Sequence, residues 1–350
     1  MRAGVLYGLG DLRVEDRPEP RCGPGEVVIE VAYNGLCGTD ATEYAKGSIL
    51  VPLTERHPGS GHLGATILGH EFVGTVVATG EGTRVRRGDR VACGAGVSCG
   101  RCRWCATGRT NLCAGYFTLG LSTHGGLAEL AAAPAAICGV IPDGCGDEDA
   151  ALAQPLAVGL HAVRRAGLRP GDRVVLLGVG AIGSFIAAGL RAHDGQVVAV
   201  DVNPARLAVA AALGVHTTRL VAPDAGATEL RDMLPFEPDV VFETSGVTGA
   251  AERAFAVTTR GGTTVLVGLN QTPQPLNLAS LVLREVDVRT TVAHVCDEDL
   301  AAALELLTAT PLAELMVDRI VPLADVVASG FEPLAAGTLT GKVLVDPRLH

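Results

Sequence analysis

Residues 173–215 read RVVLLGVGAIGSFIAAGLRAHDGQVVAVDVNPARLAVAAALGV. The apolar run Val174–Leu177 has the length of a buried strand and leads straight into Gly178-Val179-Gly180-Ala181-Ile182-Gly183. A helical stretch follows, then a second apolar run, Gln196–Val200, which ends at Asp201. Glycines spaced this way, closing a strand and opening a helix, form a dinucleotide-binding fingerprint in its required context. They permit a tight turn, a close approach to the pyrophosphate and close helix–strand packing. The helix N-terminus then offers its N–H groups and the positive end of its dipole to the phosphates. Asp201 lies 18 residues past Gly183. There it can accept hydrogen bonds from both adenosine ribose hydroxyls and repel a 2′-phosphate, which favours NAD over NADP. Arg206 could reach a phosphate, but it reads better as a solvated helix residue lying over the adenine. The expected cofactor contacts are Gly178, Gly180, Ala181, Ile182, Gly183, Asp201 and Arg206.

Outward from this stretch, the chain changes character on both sides. Leu156–Ala166 reads as a helix ending near RPGD, and further strands are expected at Val240–Glu243 and Thr263–Val267. Strands alternating with helices imply a parallel sheet with right-handed crossovers. Residues 1 to about 155 differ: short apolar runs such as Val27–Val31, Gly74–Ala78 and Arg90–Ala92 are split by the turn signals RCGPGE and GEGTRVRRGD. That pattern reads as an irregular β domain. ERHPGSGHLGA, at 55–65, reads as an exposed loop. The last segment carries a helix at Glu298–Leu307 and the strand-like KVLVDP, and is expected to rejoin the first domain.

The bulk composition agrees with a folded two-domain protein. Its 350 residues are 48% hydrophobic and 19% charged, enough for large cores and unlike a disordered chain. The formal net charge of −10 disfavours nucleic-acid binding. No apolar run reaches the roughly 18 residues of a membrane span, and the N-terminal stretch lacks a signal peptide's apolar core. The expected location is the cytoplasm. Ten cysteines in a reducing compartment suggest metal rather than a disulfide framework.

Four of them form Cys99-x2-Cys102-x2-Cys105-x7-Cys113 within SCGRCRWCATGRTNLC. Four thiolates at such spacings can wrap one zinc tetrahedrally with Zn–S near about 2.3 Å. No coordination position is left open, so this zinc is expected to be structural. An iron–sulfur cluster would use the same ligands but lacks supporting context. A second constellation is spread wider: Cys37 in GLCGTD, His70 and Glu71 in GHE, and Gln154 in AQPL, framing the four-cysteine cluster. Each residue is weak alone, whereas the ordered set is specific.

On these residues the chain resembles the zinc-containing medium-chain dehydrogenase family over essentially its whole length. Within it, CGTDATEYAKGSILVP (37–52), HPGSGHLGATILGHEFVG (57–74) and GFEPLAAGTLTGKVLV (330–345) are similar to the butanediol and polyol enzymes. The resemblance implies an α/β fold: a GroES-like catalytic domain over 1–156 and 290–350, with a Rossmann domain over 157–289 inserted. The active site is then expected in the cleft between them. It also implies that Cys37 and His70 bind a catalytic zinc. Glu71 would be a carboxylate able to approach the metal, and Gln154 would stand at the third ligand position. Such a zinc keeps an open position and lowers the pKa of an alcohol bound there. Thr39 would hydrogen-bond the substrate oxygen and start a proton relay. The implied activity is NAD-dependent oxidation of a secondary alcohol (a polyol, a sugar-like alcohol or a vicinal diol) or the reverse. A homodimer or homotetramer carrying two zincs per chain is implied with it.

Two positions depart from the family pattern. Gln154 replaces the usual Glu, a neutral and weaker ligand that leaves the site more positive. Thr42 replaces the relay His and cannot titrate near pH 7, so Glu43 or an ordered water is expected to take its place, with a milder pH dependence of turnover. Two rival readings share the fold. One is a biosynthetic reductase of an unusual carbonyl, NAD(P)H-dependent, with an altered or absent catalytic zinc. The other is a non-catalytic NAD-binding scaffold. His57, His62 and His294 read as loop or packing residues, and Cys93 and Cys296 as packing residues.

Overall fold

The structure is a computed structural model that describes residues 1–270 and 272–349. The chain divides into two compact units, 1–157 with 294–350, and 158–293.

The first unit begins with strands β1 (Arg2–Gly8), β2 (Asp11–Asp16), β3 (Glu26–Gly35), β4 (Thr66–Ile67), β5 (Glu71–Thr79), β6 (Arg90–Cys93), β7 (Gly96–Val97), β8 (Phe117–Thr118), β9 (Leu130–Pro134) and β10 (Cys138–Val140). The second unit carries β11 (Val174–Leu177), β12 (Val197–Asp201), β13 (Thr217–Leu220), β14 (Val240–Glu243), β15 (Thr263–Leu266) and β16 (Asp287–Thr290). The chain then returns to the first unit with β17 (Val317–Pro322) and β18 (Lys342–Asp346).

In the first unit, β10-β6-β5-β3-β18-β17 form one sheet, with β9 also on β3, and β2-β1-β4 form a smaller one. Long β3 is the spine. Its antiparallel register with β5 sets Gly35 opposite Glu71. A side chain at Gly35 would collide with the Glu71 carboxylate. Glycine at 35 is therefore the condition for Glu71 to turn inward. Two core clusters flank the sheets, one around Leu6, Leu68, Leu127 and Phe331, the other around Ile29, Phe72, Val91 and Cys93.

In the second unit all six strands pair in parallel, in the order β13-β12-β11-β14-β15-β16. Chain order reverses between β11 and β14, the Rossmann arrangement, whose ligand crevice lies beyond the strand carboxyl ends at that switch point. The central strands VVLL, VVAVD and VVFE are buried throughout, as parallel strands covered on both faces must be. Helix Pro204–Ala212 starts with proline in its first turn, and Asn203 Oδ1 caps it by accepting from Ala205 N (2.9 Å). The helix read from Leu156 begins earlier, at Ala153. The one read at Glu298–Leu307 is a π-helical turn, Cys296–Leu300, running into helix Ala301–Ala309. No helix among the described residues is long and apolar enough to cross a membrane.

Candidate active site and metal centres

Cys37 is the N-cap of helix Gly38–Lys46. Three residues on, Asp40 turns its carboxylate back, and its Oδ2 accepts from Cys37 N (2.9 Å). Its other oxygen, Oδ1, faces His70 Nδ1 across 3.3 Å. One fully buried carboxylate thus positions both Cys37 and His70. His70 follows Gly69, whose φ of +91° and close approach to Asn34 exclude any side chain there. Ligand atoms of Cys37, His70 and Glu71 all lie within 4.8 Å of one another.

Lys342 completes the set. Its Nζ lies 2.5 Å from Glu71 Oε2 and donates to Leu36 O (2.7 Å), with the side chain only 5% exposed. Burial disfavours the charge on Lys342, but Glu71 and then the Cys37 sulfur outweigh it and raise its pKa. His70 is pushed the same way: burial opposes its charge, yet Asp40 and Cys37 hold its pKa well above the ordinary value. The pocket favours positive charge.

This set fits a divalent metal. With Cys37 as thiolate and His70 neutral, the forms that bind a metal, three negative groups (Cys37, Asp40, Glu71) face one ammonium (Lys342), leaving two net negative charges. Imidazole, thiolate and carboxylate are the donors zinc takes.

The remaining sequence candidates fall as follows. Thr39 Oγ1 lies 3.8 Å from Cys37 Sγ. Thr42 Oγ1 donates to Gly38 O within its own helix (2.9 Å). Gln154 is half-buried on the first turn of helix Ala153–Ala166. Glu43 corrects the expectation placed on it. Its carboxylate is buried and accepts from Ile49 N, Leu50 N and Val51 N at 2.9, 2.9 and 3.2 Å. It pins the following loop through these three bonds. His57 Nδ1 likewise accepts from Ser60 N, and His62 Nε2 meets Thr66 Oγ1. Asp40 and Lys342 were quoted in the sequence motifs without a role. Their signals were an acid at the third helical position and a lysine opening an apolar strand.

The four-cysteine lobe hangs between β7 and β8, which pair with each other. Sγ atoms of Cys99, Cys102, Cys105 and Cys113 all lie within 4.8 Å of one another. A tetrahedral zinc–thiolate site needs sulfurs about 3.8 Å apart, and Cys102 and Cys105 are at 3.6 Å. Cys99 N and Gly115 N donate to Cys113 Sγ. Backbone N–H groups, chiefly that of Cys105, lower the Cys102 pKa to about 6, while desolvation raises that of Cys113 to about 11. The N–H groups are already aimed at thiolates, so this set also fits a metal.

In the second unit, a cavity of about 560 Å³ opens at the ends of β11, β12 and β14, lined by Gly178, Gly180, Asp201, Arg206, Thr244 and Arg253 among others. Nothing lies within 4 Å of where a Gly180 Cβ would be, whereas one at Gly183 would strike Gly178 O. Gly183 therefore serves helix–strand packing, and Gly180 faces open space. Ala181 and Ile182 begin helix Ala181–Gly189. Asp201 Oδ2 accepts from Val179 N and Oδ1 from Asn203 N, both at 2.8 Å. Arg253 is a second cation in this cavity that the sequence motif did not indicate.

Two family models cover most of the chain: the alcohol dehydrogenase GroES-like domain at residues 23–143, and the zinc-binding dehydrogenase at 181–309. The chain belongs to the zinc-type medium-chain dehydrogenase family, a class of oxidoreductases. It is 32% identical to a (R,R)-butanediol dehydrogenase of Neisseria gonorrhoeae over 100% of both chains. It is 33% identical to a sorbitol dehydrogenase of Bacillus subtilis over 82% of this chain and 81% of that one. The crystal structure of 2R,3R-butanediol dehydrogenase from Bacillus subtilis matches with TM-score 0.89 and 30% identity, covering 99% of each chain.

Proposed function

We propose that this protein is a zinc- and NAD-dependent dehydrogenase that interconverts a secondary alcohol, of the polyol or vicinal-diol class, and its ketone. The convergence of Cys37, His70 and Glu71 around the Asp40 and Lys342 charges carries this reading. The relatives named for butanediol and sorbitol support the substrate class. Cys37, His70 and Glu71 would hold the catalytic zinc, with Gln154 at the further ligand position. Bound zinc supplies the Lewis acidity that makes an alcohol ionise near neutral pH. NAD supplies the hydride acceptor.

The chain's own groups do the rest. Asp40 faces Nδ1 of His70, which fixes the ring and leaves Nε2 for the metal. Lys342 holds Glu71 in place and offsets its charge. Thr39, beside the Cys37 sulfur, would accept a hydrogen bond from the substrate hydroxyl and pass its own proton on, starting the relay. With the Thr42 hydroxyl bonded to Gly38 O and Glu43 bonded to the loop, the proton leaves through water. Gly178, Gly180 and the N-terminal turn at Ala181–Ile182 receive the pyrophosphate, and Asp201 receives the adenosine ribose. Cys99, Cys102, Cys105 and Cys113 hold the structural zinc. Ten free cysteines suit the reducing cytoplasm, and the family resemblance supports a homodimer or homotetramer.

Metal analysis together with nicotinamide absorbance tests this. The wild type should carry about two zincs per chain and reduce NAD with butane-2,3-diol or sorbitol. Cys37→Ser should keep one zinc and lose turnover. One zinc in the wild type, with turnover unaffected by Cys37→Ser, would overturn the reading.

A further inference from the structure

Three cysteines outside both metal sets meet in the first unit. Cys93 ends β6, Cys138 opens β10, and Cys296 follows the point where the chain returns to this unit. Cys93 is 1% exposed in the core around Val91 and Ile137. Cys138 and Cys296 pack against that core half-buried.

The register of β6 and β10 makes Cys93 and Cys138 direct cross-strand partners. The hydrogen bonds define which kind of pair they are. Gly94 N donates to Ile137 O and Ile141 N to Arg90 O, both at 2.8 Å. In an antiparallel ladder, bonded and non-bonded pairs alternate, so Cys93 and Cys138 form a non-hydrogen-bonded pair. Such pairs bring the Cα atoms to about 4.5 Å and the side chains closest together. A disulfide accepts Cα separations of about 4.4–6.8 Å. Both side chains lie on the same face, within one cluster. The bond can therefore form with the strands where they are.

We propose that Cys93 and Cys138 are an oxidation site that closes to an intramolecular disulfide. Hydrogen peroxide supplies the oxidising equivalents. It transfers one oxygen to the more accessible Cys138 sulfur, giving the sulfenic acid and releasing water. The Cys93 sulfur then attacks the Cys138 sulfur, and the hydroxyl leaves with the Cys93 proton as a second water. Two thiols and one hydrogen peroxide thus give one disulfide and two waters. Cys93, the more buried of the two, is shielded from the peroxide and acts as the resolving thiol. Cys296 donates to Ile137 O (3.5 Å) and, unlike Cys138, is not a strand partner of Cys93. The closed loop, residues 93 to 138, would contain Cys99, Cys102, Cys105 and Cys113.

The test treats the zinc-loaded protein with a small excess of hydrogen peroxide, unfolds it in denaturant, alkylates it and maps the peptides. The expected result is a Cys93–Cys138 linkage, the loss of two alkylated sites, reversal by dithiothreitol and unchanged zinc content. Cys138→Ala should abolish the linkage and Cys296→Ala should retain it. The wild-type map alone decides the matter if a variant fails to fold. Full alkylation of Cys93 after oxidation, a Cys93–Cys296 linkage, or oxidation confined to the lobe cysteines with zinc release would overturn the proposal.

Discussion

Lys342 Nζ lies 2.5 Å from Glu71 Oε2, and neither side chain is more than 5% exposed. Removing one partner of a buried ion pair strands the other charge in a poorly solvated site, at a cost of about 3–5 kcal/mol. Lys342→Met should therefore lower the calorimetric unfolding temperature markedly. The double change Lys342→Met with Glu71→Gln should recover much of the loss. A single variant as stable as the wild type would mean that the pair contributes no net stabilisation.

Asp40 joins two metal-binding candidates through one carboxylate. Asp40→Asn can still accept from Cys37 N but removes the charge that faces His70. Partners behind a metal-binding histidine are worth about 10–100-fold in metal affinity. Chelator competition should find one zinc weakened by about that factor, while the lobe zinc is unchanged. Equal retention of both zincs would remove Asp40 from this role.

Under the proposed function, Asp201, whose carboxylate accepts from Val179 N and Asn203 N, is the residue that would set the cofactor preference. In Asp201→Ala these N–H groups lose their charged acceptor, and so does the ribose. Hydrogen bonds to charged groups contribute about 1.5–3 kcal/mol, or roughly 10–100-fold. The kcat/KM for NAD should fall by that order. With Arg206 and Arg253 in the same cavity, the ratio of NADP to NAD use should rise. An unchanged ratio would assign the selectivity elsewhere.

His124 gives a pH dependence of stability that is independent of the metals. Burial first, then the nearby His62 and Arg17, lower its pKa to about 4. Its Nδ1 accepts from Ile67 N (3.1 Å). In the unfolded chain a histidine titrates near about 6.5. Between about pH 6.5 and 4 the unfolded chain therefore binds the extra proton, so stability rises with pH there and is lost on acidification. His124→Asn keeps an acceptor for Ile67 but does not titrate. Unfolding temperature measured from pH 7 to 4 should fall less steeply in this variant, and parallel curves would count against the assignment.

The sequence was most informative where function is local in the chain. The glycine fingerprint with Asp201 and the four-cysteine run are short, and their spacing alone encodes a turn or a tetrahedral set. The alternation of strands and helices likewise indicated the parallel sheet, because each strand announces its burial by composition. Element starts were less legible. Ala153, before the helix read from Leu156, is an ordinary residue whose helical state depends on packing.

Only the tertiary structure brought Lys342 to Glu71, because β18 must first add to β3 opposite β5. The same holds for the opposition of Cys93 and Cys138, which depends on strand register and cannot be read from two distant cysteines. It also bonded Glu43 to the following loop, since a buried carboxylate takes whatever N–H groups the folded loop presents. Residue chemistry and short spacing were thus encoded in the sequence by itself. Which charges share a buried space was decided by strand pairing, because electrostatic partnership depends on distance in the fold and not on separation along the chain.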